Sequence, residues 1–355
     1  RKNKNEKLAY FMPTCGGNCR FTQYSVFLNK LIQKNKLTNT ALLTMTNENG
    51  YAGLQIGEVI STLKSVIISD CMEDIRNNIR IVAKDYDTAM NTFEHVWQNI
   101  ISNFADQKTR NLSRILDNAA KELSTIALKY PLAQAKTVSL LGEIFVRRDY
   151  FSCQDLVERL AKNDIVVRRA PLLEWLNYCD YNVKKGIYDA QFNLSGYLEF
   201  KAKTFLQSIY EKTIKRALAR SGLYIYEPVN VHETMDYGSN FFNIRFTGEA
   251  ILVAGAFFKD IFHSIHGAIS IGPFACMPTR IIEAVMTAEA NMDTAQKIGA
   301  AHSDHASKIK GGLPFLPIES DGNPFPQILE ARIEAFCLQV ERFKKKRQVG
   351  MGSGK

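Results

Sequence analysis

The chain has 355 residues, with 46% hydrophobic and 23% charged side chains and a formal net charge of +9. That balance excludes a disordered polymer, and no apolar run reaches the roughly 18 residues a membrane span needs. Lys and Arg are dense only near the ends, in residues 1–7 and 342–347, so solvated tails are expected rather than a nucleic-acid surface.

The elements follow in chain order. Leu8 to Met12 reads as a short strand ending at Pro13. The loop Thr14-Cys15-Gly16-Gly17-Asn18-Cys19-Arg20 comes next, then a helical pattern from Phe21 to Lys34 and a strand from Thr40 to Thr46. From Gly57 to about Tyr130 the pattern is helical, with breaks near Tyr86 and Ala105. Pro131 marks a boundary. Thr137 to Leu141 is an apolar strand, a helix is predicted from Cys153 to Lys162, and Ile165 to Arg168 is the next strand. A strand–helix–strand unit of this kind implies a parallel sheet. Leu173 to Tyr188 is ambiguous between helix and strand, Leu194 to Ser221 is a long helix, and Thr247 to His263 is another. His266 to Ile271 is a strand that runs into the loop Gly272-Pro273-Phe274-Ala275-Cys276-Met277-Pro278, and a helix leads out from Thr279 to Ala290. A last strand, Leu313 to Ile318, precedes a helix from Pro326 to Lys345. The fold class is therefore α/β with parallel sheets and extensive helical segments. The expected division is a first domain over 1–130, a second over 131–345 and a flexible basic tail over 346–355.

The chemistry concentrates in three loops, each after a strand. They hold Cys15 and Cys19, Glu143, and Cys276. Open α/β sheets place ligands at the carboxyl ends of their strands. A helix amino end behind such a loop stabilises a thiolate or an anionic cluster. There are seven cysteines. The amino end lacks a signal-peptide apolar stretch, so a cytoplasmic chain is expected, with thiols that are buried or ligate metal. The chain does not open with Met, so it is expected to be a piece of something longer. By spacing alone, Cys15 and Cys19 stand as C-x3-C with no His nearby, which suits neither a zinc ribbon nor a ferredoxin run. Cys71, Cys179 and Cys337 read as packing residues, and Cys153 as either packing or ligand. His302-Ser303-Asp304-His305 has metal-like spacing but lacks further ligands and reads as a polar turn. Ser25 and Ser270 lack His–Asp partners, so no hydrolase is expected.

Several segments, in order, resemble one family. Asn18-Cys19-Arg20-Phe21-Thr22-Gln23-Tyr24 resembles the GPCRFGQY signature of the CoA-substrate-specific enzyme activases, long relatives of 2-hydroxyacyl-CoA dehydratases and their activators. Leu141-Gly142-Glu143-Ile144-Phe145-Val146-Arg147-Arg148-Asp149 is similar to the family's GEIYVR segment. Glu174-Trp175-Leu176-Asn177-Tyr178 is similar to the segment after it. Pro273-Phe274-Ala275-Cys276-Met277-Pro278 resembles its PF-x-CMP motif, and Leu316 to Gly322 its last strand and turn. The resemblance implies two Rossmann-like domains akin to a dehydratase subunit, with an iron–sulfur cluster, [4Fe-4S] or double-cubane, held by cysteines where the domains meet. Cys19 and Cys276 carry over as ligands, and Arg20 and Glu143 as residues lining the reacting centre. Asn18 stands where the family has Pro, and Cys15 is an additional thiol that would supply a further ligand, as would Cys153. Arg20, Arg147 and Arg148 would offset cluster charge or grip a phosphate-bearing substrate. The partners implied are upstream actin-like ATPase domains or a separate activator, a CoA-thioester or other small substrate, and a second copy in a homodimer. No phosphate-binding glycine motif is present, so ATP hydrolysis by this chain alone is not expected. The alternative function is a docking or CoA-ligand-binding domain without a cluster.

Overall fold

The computed structural model describes residues 6–12, 19, 21–44, 56–105, 111–188, 194–298, 311–324 and 326–352. Cys15, Arg20 and the segment from His302 to His305 lie outside them. The chain divides into two compact units, Arg1–Leu63 and Lys64–Lys355.

In the smaller unit, β1 (Leu8–Phe11) and β2 (Thr40–Leu43) pair in parallel, Leu8 opposite Thr40 and Phe11 opposite Leu43. The connection between them is α1 (Thr22–Lys34), as a parallel pair requires a crossover. Leu8, Tyr10 and Phe11 are exposed, so this strand pair buries little of itself.

The larger unit holds a four-stranded, all-parallel sheet. Its strands are β3 (Lys136–Gly142), β4 (Ile165–Arg169), β5 (Ala268–Pro273) and β6 (Phe315–Ser320), in the spatial order β4-β3-β5-β6. Period-two alternation sends opposite residues of each strand to opposite faces. On one face Val138, Leu140, Val167, Ile269, Ile271 and Ile318 pack against α6 (Leu156–Ala161) and α13 (Gln327–Gly352). On the other, Leu141 and Ala268 meet α10 (Glu249–Asp260), α11 (Met277–Glu289) and α12 (Met292–Lys297) through Phe257, Phe258, Ile282, Met286 and Ala295. Successive connections leave the central strands in opposite directions, so the order reverses between β3 and β5. The carboxyl ends of those two strands flank the crevice where such sheets bind ligands.

The helices α2 (Ile56–Val82), α3 (Tyr86–Ala105) and α4 (Leu112–Leu123) precede β3, and α7 (Leu172–Lys184), α8 (Leu194–Ala219) and α9 (Val231–Gly238) follow β4. In α2, Ile68, Met72, Ile75, Ile79 and Val82 are all buried, a four-three repeat that lines one helix face. From Lys64 onward these helices belong to the larger unit and not to the first domain that Pro131 seemed to close. The reason is polar as well as apolar: Asn77 Nδ2 donates to the Val167 carbonyl at 3.3 Å, and Asn78 Nδ2 to the Leu223 carbonyl at 2.7 Å. The α9 and α10 backbones cross closely. A Cβ added at Gly255 would lie 1.9 Å from the Thr234 carbonyl oxygen, and one at Gly238 2.3 Å from that of Ile251.

Three local expectations differ from what folds. The helix predicted over Cys153 to Lys162 is two short pieces, α5 (Tyr150–Cys153) and α6, because Gln154 and Asp155 take left-handed conformations between them (φ 50° and 56°). The ambiguous stretch from Leu173 is the helix α7. The basic end is no loose tail: α13 continues to Gly352, and Arg347 Nη1 donates to the Ile265 carbonyl at 3.0 Å.

Each edge of this sheet has an outward carbonyl already taken. Beside β4, Asn77 takes a strand carbonyl. On β6, Pro317 sits inside the strand and its carbonyl accepts from Arg332 Nη2 at 3.1 Å.

Candidate functional site

The β3 end is built by Gly142 and the loop after it. Gly142 has φ 100°, a conformation that costs side-chain-bearing residues heavily. Its Cα faces the neighbouring strand so closely that an added Cβ would lie 2.1 Å from the Ile271 carbonyl oxygen. That carbonyl accepts from the Glu143 amide at 2.9 Å. The Glu143 side chain turns back into its own loop, where Oε2 accepts from the Val146 amide at 2.7 Å.

Arg147 and Arg148 are both engaged. Arg147 is 5% exposed and donates from Nη1 to the Gly142 carbonyl at 2.5 Å. Arg148 is held by Asp70 at 2.5 Å and Glu73 at 2.7 Å. Neither is placed to grip a substrate phosphate as expected; both clamp the loop to its surroundings.

The β5 end carries the cysteine loop. Register sets Gly142 beside Ile271, so Glu143 and the 272–276 segment leave neighbouring strands at one level. Phe274 is 70% exposed. Ala275 is left-handed (φ 55°), and its amide donates to Glu319 Oε1 at 2.6 Å. Glu319 thus fastens the loop from the end of β6, a role the sequence reading did not assign. Cys276 is half-buried at the amino end of α11, with Pro278 in the first turn. The free N–H groups and partial positive charge there favour an anion or a thiolate.

The other cysteines lie elsewhere. Cys153 is 2% exposed, donates to the Val146 carbonyl within the core, and burial pushes its thiol up to about 11. Such a thiol packs rather than ligates, so Cys153 is set aside from the ligand set below. Cys71 and Cys337 are also buried, their thiols raised by burial to about 12 and about 11. Cys179 is half-buried on α7, and Cys19 is half-buried in the smaller unit. Among the described residues no three or more His, Cys, Asp or Glu side chains are grouped to hold a metal ion. In the larger unit the loop after β5 offers one thiol, Cys276, where a cluster takes several.

What sequence reasoning missed is a set of half-buried carboxyls behind these loops. Glu249 opens α10 just after Gly248. Burial raises its carboxyl to about 8; Arg147 and the Ile144 amide oppose the shift, and Glu143 adds to it. With Gly142, Arg147, Glu174 and Trp175 it lines a cavity of about 10 Å³. A second cavity of about 110 Å³ lies over Thr137, Ser139, Leu141, Val166 and Arg168 of the sheet, roofed by the irregular segment 224–230. Asp74 and Glu174 line it. Burial raises the Asp74 carboxyl to about 7, Arg168 opposing and Asp70 and Glu73 adding. Burial also raises Glu174, against Lys259 and Arg147.

The Asp74 shift has a sign that can be checked. Between about pH 4 and about pH 7 the folded chain keeps a proton that the unfolded chain releases. Stability from this group therefore falls as pH rises through that window and levels off above it. Asp74→Asn is expected to stabilise the protein by about 2–4 kcal/mol above pH 7 and to leave it unchanged below pH 4. Urea titrations at pH 4 and pH 8 measure this, and an equal effect at both would refute it.

No family model matches the chain, and no curated protein or solved structure matches it either.

Proposed function

We propose that the chain is an iron–sulfur module of an anaerobic, cytoplasmic reductase system, of the kind formed by 2-hydroxyacyl-CoA dehydratases and their activases. In this reading each unit is Rossmann-like. The thiolate ligands are Cys276 and Cys19, with Cys15 as the additional ligand. The cluster, when bound, takes up and gives on low-potential electrons. The chain's own residues shape its surroundings. The start of α11 stabilises negative charge, Glu319 fixes the loop, and Glu143 with buried Arg147 sets the opposite wall. Arg20 lines the same centre. The partners are upstream actin-like ATPase domains or a separate activator, and a CoA-thioester or other small substrate.

The observation that carries the reading is the position of Cys276. It stands at the amino end of α11, on the loop leaving β5, where the strand order reverses next to the Glu143 loop. Among the described residues no helix is long and apolar enough to cross a membrane.

Anaerobically reconstituted protein is expected to contain iron and acid-labile sulfide and to absorb broadly in the visible. Cys276→Ser and Cys19→Ser are each expected to lose that signal, and Cys153→Ala to keep it. Folded wild-type protein without iron or sulfide would overturn the reading.

Phe145 and Phe274, 65% and 70% exposed on the loops after β3 and β5, favour a second reading, a docking or CoA-ligand-binding domain that works without a cluster. Metal-free protein that still binds a CoA-thioester or its partner would establish it.

A further inference from the structure

The two cavities share a wall. Glu174, on α7, borders the large cavity over β3 and β4 and also the small one behind the Glu143 loop. Asp74 lines the large cavity, which reaches the surface beside Ile225 and Asn230; Ile225 is 53% exposed. Glu249 lines the small one. Among the described residues, neither the Asp74 nor the Glu174 carboxyl forms a hydrogen bond or ion pair with another side chain, whereas the cavity's other acids are tied. Asp70 holds Arg148, Glu227 and Asp260 hold Arg168, and Asp260 also holds Lys259. The start of α10 adjoins the start of α11, since a Cβ added at Gly248 would lie 3.8 Å from Pro278 Cγ.

We propose that Asp74, Glu174 and Glu249 form a proton path from the cavity mouth at Ile225 and Asn230 to the sheet end occupied by Glu143 and the Cys276 loop. The destination rests on the reductase reading; the path itself does not. Size permits it. A water needs about 10–15 Å³ of cavity space; the large cavity, about 110 Å³, holds several, and the small one, about 10 Å³, is at the lower limit for one. Chemistry permits it as well. A relay group must be able to exist both with and without its proton near neutral pH, and burial brings these carboxyls toward that range. The facing charges are Arg168, Asp70, Glu73 and Arg148 around Asp74. They are Lys259, Arg147, Asp260 and Arg168 around Glu174, and Arg147 and Glu143 around Glu249. The balance is simple. Glu249 gives a proton to the basic atom that reduction leaves on the bound molecule at the sheet end, and takes one from Glu174 through the inner water. Glu174 is refilled from Asp74, and Asp74 from solvent. No electrons move along this path. A centre that adds electrons to a bound molecule needs such a supply, because each reduced product carries protons as well.

The test uses the full chain without metal. Infrared spectra at pH 7 are expected to show protonated-carboxyl absorption, and the component that Glu249→Gln removes is the Glu249 band. On transfer to heavy water that band shifts promptly in the wild type. In Glu174→Gln, and in Glu174→Leu where it folds, the band persists but its shift is slower by about 100-fold, the low end of what a positioned acid or base contributes to proton transfer. A wild type lacking the band, or an unchanged shift rate in Glu174→Gln with native circular dichroism, overturns the path. Iron content decides the other reading separately. Prompt exchange without iron keeps the path and removes the cluster, and iron without prompt exchange does the reverse.

Discussion

Gly142→Ala is expected to cost about 3–5 kcal/mol of stability, combining about 1–3 for a left-handed side-chain-bearing residue with a comparable overpacking cost. The position allows no easy relief. A methyl group there would sit 2.1 Å from the Ile271 carbonyl oxygen and 2.8 Å from the Ile271 nitrogen, which are backbone atoms of the adjacent central strand. Backbone in a parallel sheet packed on both faces moves only if the strands separate. Separation would also strain the Glu143 amide bond to Ile271, so the loop would shift along with the strand. Denaturant unfolding measures the loss. A variant within about 1 kcal/mol of the wild type, the ordinary effect of a point change, would show that the strand pair is looser than its geometry indicates.

The second large effect is expected at Arg168. Its guanidinium meets Glu227 at 2.6 Å, Asp260 at 2.9 Å and the Ser264 hydroxyl at 3.1 Å. Glu227 belongs to the irregular roof over the cavity and Asp260 ends α10, so one side chain from β4 joins sheet, roof and helix. Arg168→Met keeps much of the length but removes the charge and the fork. Two partly buried carboxylates would then share Lys259 alone, 2.9 Å from Asp260 and 3.7 Å from Glu227. Removing one partner of a buried ion pair costs about 3–5 kcal/mol, mostly from the charge left behind. Arg168→Lys should recover only part of that, because an ammonium cannot bind both acids in the planar geometry. Urea midpoints for the two variants check both statements. A loss below about 1 kcal/mol in Arg168→Met, the scale of an exposed pair, would mean the network is solvated.

The strands were legible because parallel strands buried on both faces read as short apolar runs. Thr137 to Leu141 and His266 to Ile271 are such runs, and each leads to the loop that matters. Strand–loop–helix order was enough to expect Glu143 and Cys276 at carboxyl strand ends. The short helix α9 escaped notice because Val231 to Gly238 is only eight residues long and its buried face holds Thr234 and Gly238 beside Val231 and Met235, so few large apolar residues mark it. The break between α5 and α6 escaped because Gln154 and Asp155 turn left-handed without the Gly or Pro that marks a turn. The division between the units falls inside α2, where a helical pattern runs on unbroken. The carboxyl chain was hidden for a different reason. Asp74, Glu174 and Glu249 are far apart in sequence, each reads as an ordinary polar helix residue, and only folding sets them, half-buried, on the walls of two adjoining cavities.

The edges of the four-stranded sheet bear on how copies of this chain can associate. A strand arriving at β6 meets a proline with no amide hydrogen to give and a carbonyl already taken by Arg332. One arriving at β4 finds the Val167 carbonyl taken by Asn77. Joining two such sheets into one ribbon is thus discouraged at these points of both margins, which leaves helix faces, loops and the β1–β2 pair as the surfaces through which copies could meet.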